Sequence, residues 1–353
     1  MTEIYNDSFV LEKRKARVAI SPTCNLSCKY CDNGAARSDE RTGAMEDFRS
    51  TSLETGVIGT SDYIELMKTL RSAGYTGIVL TGGEPTINPD WSNIVIGAKQ
   101  IGFESVCLTT NGSLLDQYID QFGHLPAELD MLTVSLDSFN NETFSDITGA
   151  ALDRIVNGLK RVKQVNPDLV IKANKVVMKS DLENLELYVS ECEGIGAISK
   201  VTLLSLICKN PQLKEEREFF ESEYVSPQDV MDCLKIYDFA MDKKYEYVAS
   251  TSVGMVISLV DTSQSIRSNV CDDCPIYCQE GFYTARIATD GTVRSCIDSH
   301  NQLPYVEYNK DESYSTLEHK VHTLLRSVGD TAIRDTFSEF CERYELLSAK
   351  NTV

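Results

Sequence analysis

The chain has 353 residues, enough for one large α/β domain and a smaller appendage. Its 53 Asp and Glu against 34 Lys and Arg give a formal net charge of -19. A field of that sign repels nucleic acid and anionic membrane, so neither is expected as a partner. The polar N-terminus lacks the apolar core of a signal peptide, and no apolar run reaches the ~18 residues of a membrane span. A cytoplasmic protein is expected, in which the 12 cysteines serve as metal ligands or thiols and not as a disulfide framework.

In chain order, residues 1–16 form a polar arm. The cluster Lys13, Arg14, Lys15 and Arg17 at its end suits either a phosphate or a solvated face. Short β-branched runs follow at 17–21, 77–81, 105–109, 131–136, 170–177 and 201–207, read as strands buried on both faces. Helical patterns lie between them at 61–72, 91–102, 153–164 and 181–193, with start signals at Ser61-Asp62 and Ser180-Asp181. This alternation predicts a parallel sheet with right-handed crossovers. Six strands are too few for a closed eight-stranded barrel, so the expected class is α/β, a partial (β/α)6 barrel over 17–212. Residues 213–353 form the expected second domain, with helices at 227–243, 315–326 and 331–347.

The run Cys24-Asn25-Leu26-Ser27-Cys28-Lys29-Tyr30-Cys31 carries the first chemistry. Three thiolates on one loop can hold three irons of a [4Fe–4S] cube and leave the fourth iron open. A zinc site would want four ligands, commonly as two pairs. Strand 77–81 then ends in Gly82-Gly83-Glu84-Pro85, where glycines permit close backbone approach and a carboxylate can accept from an ammonium group.

With these two motifs the chain resembles a radical S-adenosylmethionine (SAM) enzyme. The resemblance implies an oxygen-sensitive, anaerobic iron–sulfur enzyme that binds SAM and cleaves it to a 5′-deoxyadenosyl radical. It implies Cys24, Cys28 and Cys31 as cluster ligands, Tyr30 beside the adenine, and Gly83 and Glu84 at the methionine end. Thr109-Thr110-Asn111-Gly112, Ser135-Leu136-Asp137-Ser138, Ile171-Lys172-Ala173-Asn174 and the stretch 144–160 resemble the molybdenum-cofactor GTP 3′,8-cyclase group. That resemblance implies Ser135, Thr109 and Asn111 on the cofactor side, with Arg17, Lys172 and again Thr109 toward substrate. The bland roles of these residues are strand-end hydrogen bonding and a barrel-rim ion pair. The chain departs from that group at Val79, where the group has an arginine. Its strand 283–287 keeps one arginine, and it ends Lys350-Asn351-Thr352-Val353 without a glycine tail. Molybdenum-cofactor synthesis is therefore not the expected activity.

The second group, Cys271, Cys274, Cys278 and Cys296, brackets the turn Thr289-Asp290-Gly291-Thr292, a hairpin signal. It resembles the auxiliary-cluster motif of twitch/SPASM domains, which implies a second [4Fe–4S] cluster. Cys341 is an alternative ligand and a structural zinc knuckle the alternative site. Cys107, Cys192, Cys208 and Cys233 read as buried apolar residues, and His124, His300, His319 and His322 as surface residues. The expected activity is hydrogen abstraction from a small polar substrate, namely a nucleotide, nucleoside or sugar derivative. A flavodoxin or ferredoxin is implied as electron donor. The alternative is a ribosomal-peptide maturase, against which stands the short segment ahead of the first strand. A non-catalytic iron–sulfur or zinc scaffold is the third reading.

Overall fold

The computed structural model describes residues 15–28, 57–206, 214–243, 246–260, 285–294 and 305–327. Tyr30, Cys31, Cys208, Cys271, Cys274, Cys278, Cys296, His300, Cys341 and the helix expected at 331–347 lie outside the described residues. Strands β1 (Lys15–Ala19), β2 (Gly77–Thr81), β3 (Ser105–Thr110), β4 (Met131–Ser135), β5 (Val170–Val177) and β6 (Lys200–Ser205) fall on or beside the six apolar runs. Helices Thr60–Ser72, Trp91–Ile101, Leu152–Val165 and Leu185–Ile195 fall between them, joined by Leu115–Phe122 and Asn141–Thr148. Further on come β7 (Ala240–Lys243), β8 (Glu246–Ser250), β9 (Val256–Val260), β10 (Arg286–Ile287), β11 (Val293–Arg294), β12 (Tyr305–Val306) and helix Tyr314–Ser327.

The helix expected over 227–243 is a correction. Only Pro227–Cys233 is helical, and Ala240–Lys243 pairs antiparallel with β8. Tertiary pairing overrides local helix propensity there. The start signals also act differently than expected. Asp62 and Asp181, not the serines before them, accept from the backbone N–H of Gly59 and Met178 at 2.9 and 3.2 Å.

The chain divides into two compact units that interleave in sequence. One takes Met1–Val134, Phe144–Val170 and Tyr283–Val328; the other takes Ser135–Thr143, Ile171–Phe282 and Gly329–Val353. In the first, the strand order is β12-β11-β10-β1-β2-β3-β4, parallel from β10 to β4. Ala16, Val18, Ile78, Leu80, Val106, Leu108, Leu132 and Val134 alternate onto one face and are fully buried. The other face is mixed. One register row runs Arg294, Arg286, Arg17, Val79, Cys107, Met131, and the next brings Thr109 beside Thr133. The strands were expected to be apolar on both faces, and only one face is. The β10–β11 hairpin forms as the Asp-Gly signal predicts, with Gly291 at φ +85° and Ala288 N donating to Thr292 O at 2.9 Å. Tyr63 locks it, its hydroxyl donating to Ala19 O at 3.0 Å and to Thr289 O at 3.4 Å.

In the second unit the order is β5-β6-β9-β8-β7, with β5, β6 and β9 parallel. Along β5, Ile171, Ala173, Lys175 and Val177 are buried, while Lys172, Asn174 and Val176 share the half-buried face. Both units have the expected α/β character.

Candidate active site

The first unit builds its site at the C-terminal ends of β1, β2 and β3, where open parallel sheets place ligands. After β1 the chain turns into the cysteine loop and lies against the end of β2. Gly83 N donates to Ser21 O and Glu84 N to Thr23 O, each at 2.7 Å. A Cβ at Gly83 would stand 2.0 Å from Thr23 O and 2.9 Å from Cys24 N. The expected close approach at these glycines is therefore made by the cysteine loop's own backbone. Gly82 serves the same contact at φ +150°, where a Cβ would meet Ser21 O at 2.5 Å.

Glu84 is buried, 1% exposed, and ties the end of β2 to the end of β3. Its Oε1 accepts from Thr86 N at 3.0 Å and from the hydroxyls of Thr86 and Thr110; its Oε2 accepts from Asn111 N at 2.7 Å. Burial pushes its pKa above the ordinary carboxylate value, against four hydrogen bonds that pull it down. The carboxylate expected to meet an ammonium group thus also braces the site, with acceptor capacity left on Oε2.

Asn111 carries that brace to the cysteine loop. Its Oδ1 accepts from Ser113 N at 2.9 Å. Its Nδ2 donates to Asn25 Oδ1 at 2.8 Å and to Cys24 Sγ at 3.7 Å. Asn25 Nδ2 donates to Ser113 Oγ at 2.8 Å, and Leu26 N donates to Cys24 Sγ at 3.4 Å. Cys24 and Cys28 are half-buried on this loop. The donor set fits an iron–sulfur ligand: two N–H groups are aimed at the sulfur, as donors to a metal-bound thiolate would be. Thr23 Oγ1, buried beside it, has no hydrogen-bond partner among the described residues, as at a site built to receive a polar group.

The remaining expected residues divide between the units. Arg17 and Thr109 lie on the mixed face of the first, whereas Ser135 and Lys172 belong to the second. Sequence reasoning missed Asn25, Ser113 and Thr110. Their only signal is membership in the Cys-Asn and Thr-Thr-Asn-Gly-Ser runs. Cys107 and Cys192 are buried as expected, whereas Cys233 is only half-buried; burial pushes the Cys192 thiol up to about 12. His124 and His319 are exposed, and His322 sits 3.1 Å from Ser72 Oγ.

Residues 18–185 match the Radical SAM superfamily. A protein of Saccharolobus solfataricus named Probable GTP 3′,8-cyclase is 26% identical over 295 residues, covering 82% of this chain and 85% of that one. The GTP 3′,8-cyclase of Synechocystis is 29% identical over 304 residues, covering 84% and 83%. Among solved structures, native anSMEcpe with bound AdoMet and Cp18Cys peptide superposes with a TM-score of 0.56 at 12% identity, covering 97% of this chain and 100% of that one. Streptococcus suis SuiB bound to precursor peptide SuiA gives 0.53 at 13%, covering 89% and 67%. At such identity the likeness concerns the fold: mixed α/β with a parallel sheet, consistent with the partial barrel expected from the sequence.

Proposed function

We propose that this chain, a radical SAM enzyme, cleaves S-adenosylmethionine reductively and takes a hydrogen atom from a small polar substrate, such as a nucleotide, nucleoside or sugar derivative. The family implies SAM and a [4Fe–4S] cluster, which when bound supplies the electron that releases a 5′-deoxyadenosyl radical. Cys24, Cys28 and Cys31 hold it. Gly83, Glu84 and Asn111 fix the cysteine loop and receive the methionine end, while Tyr30 and Thr109 contact the nucleoside; Ser135, in the second unit, is a cofactor-side candidate from the resemblance.

One observation carries the substrate class. Arg17 and Arg286 are register neighbours on the mixed face, with Arg294 beside Arg286. Three arginines at neighbouring register positions on one sheet face, Arg294 lying over the Tyr305 ring, give a chain of net charge -19 a local cationic row suited to phosphate or carboxylate. In the second unit Lys172 shares a face with Asn174, whose Oδ1 is buried without a partner among the described residues. Its register neighbour Thr202 has a buried hydroxyl in the same condition. Such atoms suit a ligand bearing hydroxyl and N–H groups. Cys271, Cys274, Cys278 and Cys296, with Cys341 in reserve, hold an auxiliary cluster in our reading, and a flavodoxin or ferredoxin delivers the electron.

Anaerobic reconstitution tests this. Reduced protein should form 5′-deoxyadenosine from SAM, and Cys28→Ala should not. Arg17→Ala and Arg286→Ala should each lower kcat/KM for an anionic substrate by about 2 kcal/mol, roughly thirtyfold, the loss of a charge-assisted hydrogen bond. Zinc as the only bound metal, with no SAM cleavage, would sink the proposal.

A further inference from the structure

We infer that Asn111 tunes the reduction potential of the N-terminal cluster by donating a hydrogen bond to the Cys24 thiolate, and that Asn25 and Ser113 hold it in place to do so. The inference rests on the reading above that Cys24 is a cluster ligand. It adds an assignment for three residues that the reading leaves without a chemical role at the sulfur.

The orientation of the Asn111 amide follows from its neighbours. A backbone N–H can only donate, so the atom that Ser113 N reaches at 2.9 Å must be Oδ1. Nδ2 therefore faces the cysteine loop. Its two hydrogens have two acceptors, Asn25 Oδ1 at 2.8 Å and Cys24 Sγ at 3.7 Å. Asn25 is fixed in turn. Its Oδ1 accepts from Asn111, so its Nδ2 donates to Ser113 Oγ at 2.8 Å. Asn111, Asn25 and Ser113 thus close a hydrogen-bonded ring through the Ser113 backbone N–H, and Asn111 N is anchored on Glu84 Oε2 at 2.7 Å. Asn111 and Ser113 are 9% and 6% exposed, so water competes little for these bonds.

Donors to a ligating sulfur withdraw charge from it and favour the reduced cluster, whose negative charge is greater. Leu26 N supplies one such donor through the backbone, at 3.4 Å. Asn111 supplies another through its side chain, which a substitution can remove. Because its backbone N–H is held by Glu84, the strand end beside the cysteine loop and the sulfur are mechanically joined. In this role Asn111 is a positioning residue, acting through Cys24 on the metal, in addition to its place at the methionine end of the SAM site.

The measurement is the cluster's midpoint potential, read by an electron paramagnetic resonance titration of the reconstituted full-length protein. Asn111→Ala should hold its iron yet have a more negative potential than wild type. Asn25→Ala and Ser113→Ala should shift it the same way by less, because they loosen the donor without deleting it. A structural role alone would change iron content or melting temperature and leave the potential of the loaded fraction in place. Should Asn111→Ala fail to load iron, the two milder variants decide by the same criterion. Potentials equal to wild type in the loaded variants overturn the inference while leaving the radical SAM assignment intact. A wild-type protein that binds no iron–sulfur cluster overturns both.

Discussion

Glu84 takes one backbone N–H on each of its oxygens, Thr86 N on Oε1 and Asn111 N on Oε2. Glutamine has the same shape but only one acceptor atom, so Glu84→Gln must turn an NH2 group toward one of those donors. A buried N–H left without an acceptor costs about 1–3 kcal/mol, and urea unfolding of the apo-protein should register that loss. The size of the loss depends on pH. The folded-state pKa of Glu84 is raised by burial, so its ionisation is harder in the folded than in the unfolded chain. Wild type therefore gives up stability as pH rises from the ordinary carboxylate range through the raised value, and the glutamine variant does not. The gap between them should be widest in acid and narrow toward neutrality; a gap that widens instead refutes the assignment. Gly83 makes the complementary case. Gly83→Ala places a carbon 2.0 Å from Thr23 O, and both partners are backbone, so the cysteine loop must move. The variant should keep its circular-dichroism spectrum and lose most of its bound iron.

Among the elements, β5 shows what alternation along a strand conceals. Lys172 and Lys175 are both cations in one eight-residue strand, yet they face opposite ways. Lys172 lies on the half-buried face. Lys175, 2% exposed, sits in the core, 3.0 Å from Asp181 Oδ2, donating to Asp137 O and lying 5.2 Å from the centroid of the Tyr188 ring. Lys175→Ala removes a buried cation, but Asp181 is 13% exposed and keeps the Met178 N–H, so the variant should cost about 1.5–3 kcal/mol in urea unfolding, the range for a hydrogen bond to a charged group. Lys175→Met with Asp181→Asn should recover part of it; a single variant as stable as wild type would falsify the pairing. The sequence shows where β5 lies, because Val170–Val177 is β-branched and bounded, but not that one of its lysines is a core residue. The same limit explains the rest. The first six strands are legible because each is a short apolar run. β7 is not, since Ala-Met-Asp-Lys has no strand pattern and is a strand only by pairing with β8. Cys24, Glu84 and Asn111 are legible because spacing carries them. Asn25 and Ser113 are not, since what matters is a hydrogen bond across the fold between residues far apart in sequence.

At the scale of the whole molecule, the C-terminal segment returns to the N-terminal strand: β10 pairs parallel with β1, and Arg17 N donates to Ala285 O at 2.8 Å. The β10–β11 hairpin lies between Cys278 and Cys296 in sequence, and β10 pairs with the strand that leads into Cys24. If the two cysteine groups hold separate four-iron clusters, their losses should be separable. Wild type reconstituted without oxygen should hold about eight irons per chain and the variant with Cys271, Cys274, Cys278 and Cys296 all changed to Ala about four. That variant keeps the loop at Cys24, the Glu84 brace and the Asn111 donor, so it should still form 5′-deoxyadenosine from SAM under strong chemical reductant. Its conversion of substrate should fail if the second cluster binds the substrate or takes up the electron that leaves it. Cys24→Ala should show the converse, about four irons and no SAM cleavage. Equal iron in wild type and the four-alanine variant, or zinc recovered from wild type in its place, would remove the second cluster and leave a one-cluster enzyme whose C-terminal cysteines are structural.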